Sequence, residues 1–225
     1  MDNKKQNYQK ELDNIILNLK GTKKNLFLHS CCAPCSSYCL EYLRSYFNVT
    51  LFYFNPNIVE DNEYKKRVEE QKRLIELLNK EDNNEIKYME GEYSPSCFLN
   101  TVKGYEQCKE GGERCFICYE LRLRETARQA KLNDMDYFTT TLTISPLKNA
   151  AKLNEIGERI GKEEGIAFLP SDFKKKNGYL QSIQLSQKYN LYRQDYCGCP
   201  YSKIEREKQL QELEKQKDYD KLMSE

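Results

Sequence analysis

The sequence predicts an α/β fold: a parallel sheet with helices on both faces and a helical, cysteine-containing insertion. Three observations predict it. Short runs rich in β-branched and aromatic residues, such as Val49-Thr50-Leu51-Phe52-Tyr53-Phe54, alternate with longer stretches of helical apolar period. Parallel neighbours need crossovers of the length those stretches supply. Three cysteines lie just beyond the first predicted strand, at the strand end where open α/β sheets hold their ligands.

Each element follows from local chemistry. Residues 1–24 read as a polar amino-terminal extension, too charged for a signal peptide. Residues 25–30, with Leu26-Phe27-Leu28, form the first strand and lead into Cys31-Cys32-Ala33-Pro34-Cys35. A helix over 36–47 offers Tyr38, Leu40, Tyr42, Leu43 and Phe47 for packing. The second strand, 49–54, is broken by Asn55-Pro56-Asn57. Tyr64, Val68, Gln71, Ile75 and Leu78 mark a helix over 63–79, and 86–89 is a third strand. From 91 to 112 the pattern turns irregular and leads into a long helix over 113–131, so about 91–131 reads as an insertion. A strand over 137–141, a helix over 149–162, a strand over 166–169 and a helix over 178–189 complete a single α/β domain spanning 25–202. A charged helix over 203–225, dense in Lys, Glu and Gln, reads as a solvated end.

Composition narrows the function classes. The 225 residues suffice for one large domain, and 39% hydrophobic residues supply a core without disulfide staples. No apolar stretch approaches the ~20 residues that span a bilayer, so no membrane role and a cytoplasmic location are expected. Thiols stay reduced there, and ten cysteines then point to metal or redox work. The balance of 36 Lys+Arg against 35 Asp+Glu gives no global basic field, so a nucleic-acid partner needs a local patch. His29 is the sole histidine, which argues against His-built hydrolase sites. There is no glycine-rich phosphate loop, which argues against a nucleotide-driven enzyme of the PP-loop type.

The cysteines carry the strongest signal. Cys31, Cys32 and Cys35 precede a helix whose amino-terminal dipole favours thiolates. Cys115 and Cys118 share one helical face and can ligate one metal. Together they offer a four-sulfur set that suits zinc or an iron–sulfur cluster. Cys197-Gly198-Cys199 can ligate further or cycle as a dithiol, and its glycine permits a sharp turn. Cys39 reads as a core residue; Cys97 and Cys108 carry less signal. The stretch from Thr140 to Asn149 and the run Asp172 to Lys176 follow strands and face the same rim as Cys31. Lys148, Lys174, Lys175, Lys176 and Arg193 are candidate phosphate contacts there, and Tyr179 and Tyr192 can stack on an unstacked base.

These motifs occur in one order from about residue 24 to 200: His29 to Cys35, Phe54 to Ile58, Cys115 to Tyr119, Thr140 to Asn149, Asp172 to Gly178 and Tyr192 to Cys199. In them the chain resembles the QueH-type epoxyqueuosine reductases. The resemblance implies a Rossmann-like (PP-loop/HUP-like) sheet. It also implies the last step of queuosine synthesis, reduction of epoxyqueuosine to queuosine at the wobble position of tRNA with a GUN anticodon. It implies an oxidoreductase that uses a 4Fe-4S cluster and one further metal ion, iron or zinc, without cobalamin. An external donor of reductase or ferredoxin type would supply electrons. By motif, Cys31, Cys32, Cys115 and Cys118 belong to the metal centre, and Cys197 and Cys199 are further ligands or a relay. Some relatives carry Asp where this chain has Cys35, and a thiolate there makes the single-ion site softer. Asp195, Tyr196 and Asp172 are proton-donor candidates by position. Two other readings compete: a structural zinc protein that binds RNA, and a dithiol reductase using Cys32 and Cys35.

Overall fold

The computed structural model describes residues 6–81 and 83–223. The first five residues of the expected extension and the last two of the expected final helix lie outside the described residues. Five parallel strands form the sheet: β1 (Lys24–Ser30), β2 (Phe47–Tyr53), β3 (Lys87–Glu90), β4 (Tyr137–Thr140) and β5 (Ala167–Phe168). Their order is β3-β2-β1-β4-β5. Leu28 sits between Leu51 of β2 and Thr139 of β4 in the register. The chain winds outward from β1 to β3, then returns to lay β4 on the other side of β1. The strand order therefore switches between β1 and β4, the place where open α/β sheets leave a crevice.

Alternation along β1 explains the continuous apolar run seen in the sequence. Leu26 and Leu28 enter one core and Phe27 the other, so both faces are covered. The first face carries α1 (Tyr8–Asn18), α2 (Ala33–Leu43), α3 (Asp61–Glu81) and α7 (Gly178–Lys188). The second carries α5 (Glu113–Leu132) and α6 (Ala150–Glu164), with Phe27 stacked on Phe52 at 5.0 Å. The α/β, Rossmann-like architecture expected from the pattern is the one observed.

Local differences have local causes. Within residues 1–24, α1 forms because Asn7 caps it, accepting from Lys10 N–H at 3.1 Å, and because Leu12 is fully buried. Burial of such a side chain contributes about 1.5–3 kcal/mol. Helix α2 starts three residues before the expected 36, since Pro34 is tolerated in a first turn. Inside the irregular 91–112 stretch lies a short helix, α4 (Pro95–Thr101). Its Phe98, with Val102, packs on Cys118 and Cys199 and so joins the insertion to the start of α8 (Pro200–Leu222). Among the described residues no helix is long and apolar enough to cross a membrane.

Candidate metal centre

Three helices present their amino-terminal ends to one crevice, and each end carries cysteines. Cys32 is the N-cap of α2, with Cys35 in its first turn. Cys115 and Cys118 lie in the first two turns of α5, and Cys199 immediately precedes α8. Helix amino termini carry partial positive charge, which favours thiolates and anionic groups.

The first group is a trio. The sulfurs of Cys31, Cys32 and Cys35 all lie within 4.8 Å of one another. Among the described residues no other three His, Cys, Asp or Glu side chains bring their ligand atoms so close. Cys31 and Cys32 Sγ are 3.8 Å apart, about the separation of two thiolates on one tetrahedral ion with ~2.3 Å bonds. The trio thus fits a single soft metal ion and leaves a fourth position open. Hydrogen bonds from the Cys32 and Cys35 thiols, with the charge of Lys148, hold the Cys31 thiol well below its usual pKa. Cys32 is pushed up to about 12, first by its hydrogen bond to Cys31, and Cys35 is raised for the same reason.

Buried polar residues fix this turn. The Ser36 hydroxyl lies 2.8 Å from the Cys32 carbonyl and 2.9 Å from Gln71 Oε1. Ser30 donates to that same amide oxygen at 2.7 Å, and Asn55 Nδ2 donates to the Ser30 carbonyl at 2.8 Å. His29 is fully buried and is a strut between strands. Its Nε2 donates to the Phe54 carbonyl at 3.1 Å, and its Nδ1 lies 2.9 Å from the Thr140 hydroxyl. Burial lowers its pKa to about 3, so the ring is neutral and both nitrogens are engaged.

The second group lines a cavity: Cys115, Cys118, Cys197 and Cys199, with Asn57, Arg122 and Lys148 in the same wall. Gly111 N–H donates to Cys115 Sγ at 3.2 Å, and Ser202 N–H to Cys199 Sγ at 3.3 Å. Gly198 holds φ at +109°, and a Cβ there would stand 2.8 Å from Ile58 Cγ1. Only glycine fits between these two cysteines. Arg67, buried on α3, donates to the Cys197 carbonyl at 3.2 Å and to Glu63 at 2.6 Å. Burial raises the Cys115 thiol and pushes Cys118 up to about 12. Four thiols of this kind can act as donors to an inorganic centre, whose charge would then replace their protons. Asn57 Oδ1 and Arg122 Nη2 are buried without a protein partner, and both residues line this cavity.

The seven candidate cysteines fall into two sets, Cys31, Cys32 and Cys35 within 4.8 Å of one another, and Cys115, Cys118, Cys197 and Cys199 lining one cavity. Lys148, expected at phosphates, is half-buried in the cavity wall. Burial opposes its charge, yet the thiols of Cys197 and Cys31 raise its pKa. Lys174 donates to the Thr143 carbonyl at 3.0 Å and pairs with Asp172 at 3.1 Å, so neither of these two is free. Lys175 is exposed, Lys176 pairs with Asp13 at 2.8 Å, and Arg193 reaches Ser186 Oγ at 3.1 Å. Asp195 points outward, 60% exposed, 3.8 Å from Arg206. Tyr196 lies beneath the Arg67 guanidinium, 5.3 Å away. Tyr192 is held by Glu63 at 3.1 Å with Lys66 over its ring, and Tyr179 is exposed. Arg122 was not singled out from sequence. The signal was present: it stands seven residues after Cys115 and four after Cys118, on their helical face.

The family described as "Epoxyqueuosine reductase QueH" matches residues 26–205, which include all seven cysteines. The chain is 41% identical over 206 residues to an epoxyqueuosine reductase QueH of Staphylococcus epidermidis, covering 90% of this chain and 87% of that protein. It is 41% identical over 209 residues to that of Staphylococcus aureus, covering 91% and 87%. It is 32% identical over 198 residues to that of Thermotoga maritima, covering 85% and 97%. The chain belongs to the epoxyqueuosine reductase QueH family.

Proposed function

We propose that this chain is a cytoplasmic, cobalamin-independent oxidoreductase that reduces epoxyqueuosine to queuosine at the wobble position of tRNA with a GUN anticodon. The observation that carries this reading is the gathering of seven thiols from three motifs at the sheet's switch point, in a chain of this family. We assign Cys115, Cys118, Cys197 and Cys199 to a 4Fe-4S cluster, and Cys31, Cys32 and Cys35 to a single iron or zinc ion. Bound there, the cluster would supply single electrons from an external reductase or ferredoxin-type donor, and the ion a Lewis acid.

The reaction takes two electrons and two protons. Both C–O bonds of the epoxide break, a C=C bond forms, and the oxygen leaves as water. The chain's own groups suit this. Lys148 brings an ammonium to the wall between the two thiol groups, where negative charge on a leaving oxygen would be met. Lys175 and Arg193 are exposed cations that would contact backbone phosphates. An unstacked anticodon base is the usual target of sequence-specific RNA reading.

The test is conversion. Protein kept free of oxygen and reduced with dithionite is mixed with tRNA carrying epoxyqueuosine, and the nucleosides are weighed by mass spectrometry. The reading predicts loss of one oxygen atom's mass to give queuosine. Unchanged substrate with fully loaded protein would overturn it.

A further inference from the structure

Three arginines are almost fully buried near the cavity, and they differ in what balances them. Arg67 pairs with Glu63 at 2.6 Å, and Arg114 with Glu205 at 3.4 Å. Arg122, 1% exposed, meets only neutral groups: its Nε donates to the Cys118 carbonyl at 3.4 Å and its Nη1 to Asn55 Oδ1 at 3.3 Å. Among the described residues no carboxylate pairs with it. Its Nη2 is shielded from solvent and has no protein acceptor, and the residue lines the four-cysteine cavity. A buried cation without a counter-charge is strongly destabilising. The ionisable groups around this one are thiols of both sets. Burial opposes its charge, but Cys118, Cys197 and Cys31 together raise its pKa.

We propose that Arg122 is the charge-compensating and positioning residue of the redox centre, donating from Nη2 to the anionic thiolate-held group in the cavity and so raising its reduction potential. This rests on the function proposed above. Adding an electron makes a thiolate-bound centre more negative. A fixed positive charge and an N–H donor aimed at it stabilise the reduced state more than the oxidised one. Arg122 lines the four-cysteine cavity and also interacts electrostatically with Cys31, so its field acts across both thiol groups. It touches the Cys118 carbonyl and makes no claim on the reacting atoms.

The experiment compares anaerobically purified wild type, R122Q, R122K and N55D by iron and sulfide content and by spectroelectrochemical titration. R122Q is expected to keep wild-type iron and sulfide. Its oxidised-to-reduced ratio at fixed poise should rise at least tenfold, 59 mV for a one-electron couple. R122K, which keeps the charge, should recover most of that shift. N55D places a carboxylate on Nη1 without removing the arginine and should shift the ratio in the R122Q direction, which decides the matter if R122Q does not fold. Loaded R122Q or N55D with the wild-type potential would overturn the proposal. Wild type without iron or sulfide would overturn the proposed function itself, and this role with it.

Discussion

The sulfurs of Cys31 and Cys32 stand 3.8 Å apart although the two residues are adjacent in sequence. In a continuing strand, neighbouring side chains point to opposite faces. Here Cys32 is extended, at φ −174° and ψ 159°, but the helix begins at the next residue, and the turn brings both sulfurs to one side. The consequence is a two-thiolate bite sized for one ion, completed by Cys35 from the first helical turn.

Replacing Cys32 by Ser should therefore remove the single ion and spare the other centre. Metal analysis of C32S is expected to show one metal fewer per chain with sulfide content unchanged. Loss of sulfide in parallel would mean that the trio shares the cluster's ligands.

Gly198→Ala tests the turn between Cys197 and Cys199. The added Cβ meets Ile58 at 2.8 Å and Arg67 Nη1 at 3.1 Å, at a φ of +109° that L residues avoid. Strain of this kind costs about 1–3 kcal/mol, which lowers the thermal midpoint of a chain this size by several degrees. A variant as stable as wild type, with full iron, would contradict the reading of this turn.

Glu70 gives the segment leading to Cys197 an acid sensitivity. Both its oxygens bind Arg73 at 2.8 Å, and Tyr192 N–H donates to it at 2.6 Å. Arg73 first, then that N–H, holds its pKa below the ordinary 4.5. The unfolded carboxylate takes up a proton more readily than the folded one. The stabilisation is therefore complete above pH 4.5 and lost as pH falls through the folded value. E70Q is expected to cost about 1 kcal/mol at neutral pH and to flatten the acid limb of a stability–pH curve. Identical acid limbs for E70Q and wild type would sink this account.

Lysines that looked alike in sequence should separate in a salt titration of tRNA binding. K175E removes an exposed cation and is expected to weaken binding and lower the salt slope by about one. K148M alters a cavity wall and should leave that slope unchanged while slowing conversion. Equal slope changes in both variants would return Lys148 to the RNA surface.

Much of the fold was legible because both faces of the sheet are covered. That forces continuous apolar strands, as in Leu26-Phe27-Leu28, and places the cysteine motifs at strand and helix ends. Helix α4 was not legible: seven residues opened by Pro95 carry too little period to register. The grouping of the thiols was hidden for a different reason. Motif spacing tells which cysteines share a turn of helix, but the partners of Cys115 and Cys118 are set by the positive φ at Gly198 and by α4 packing on Cys199. Lys148 read as a phosphate contact because spacing cannot reveal that its side chain lines the four-cysteine cavity. Asp195 read as a proton donor for its place beside Cys197, yet it points outward, toward Arg206.

The central claim is that two separate thiol groups hold two different centres. It is tested most directly by iron, zinc and acid-labile sulfide per chain in protein purified without oxygen, wild type beside Cys115→Ala, with a visible spectrum of each. The account predicts about four irons with matching sulfide, one further metal and a broad brown absorbance in wild type, and loss of sulfide and colour in C115A. Zinc without sulfide in wild type, or full iron and sulfide in C115A, would contradict it.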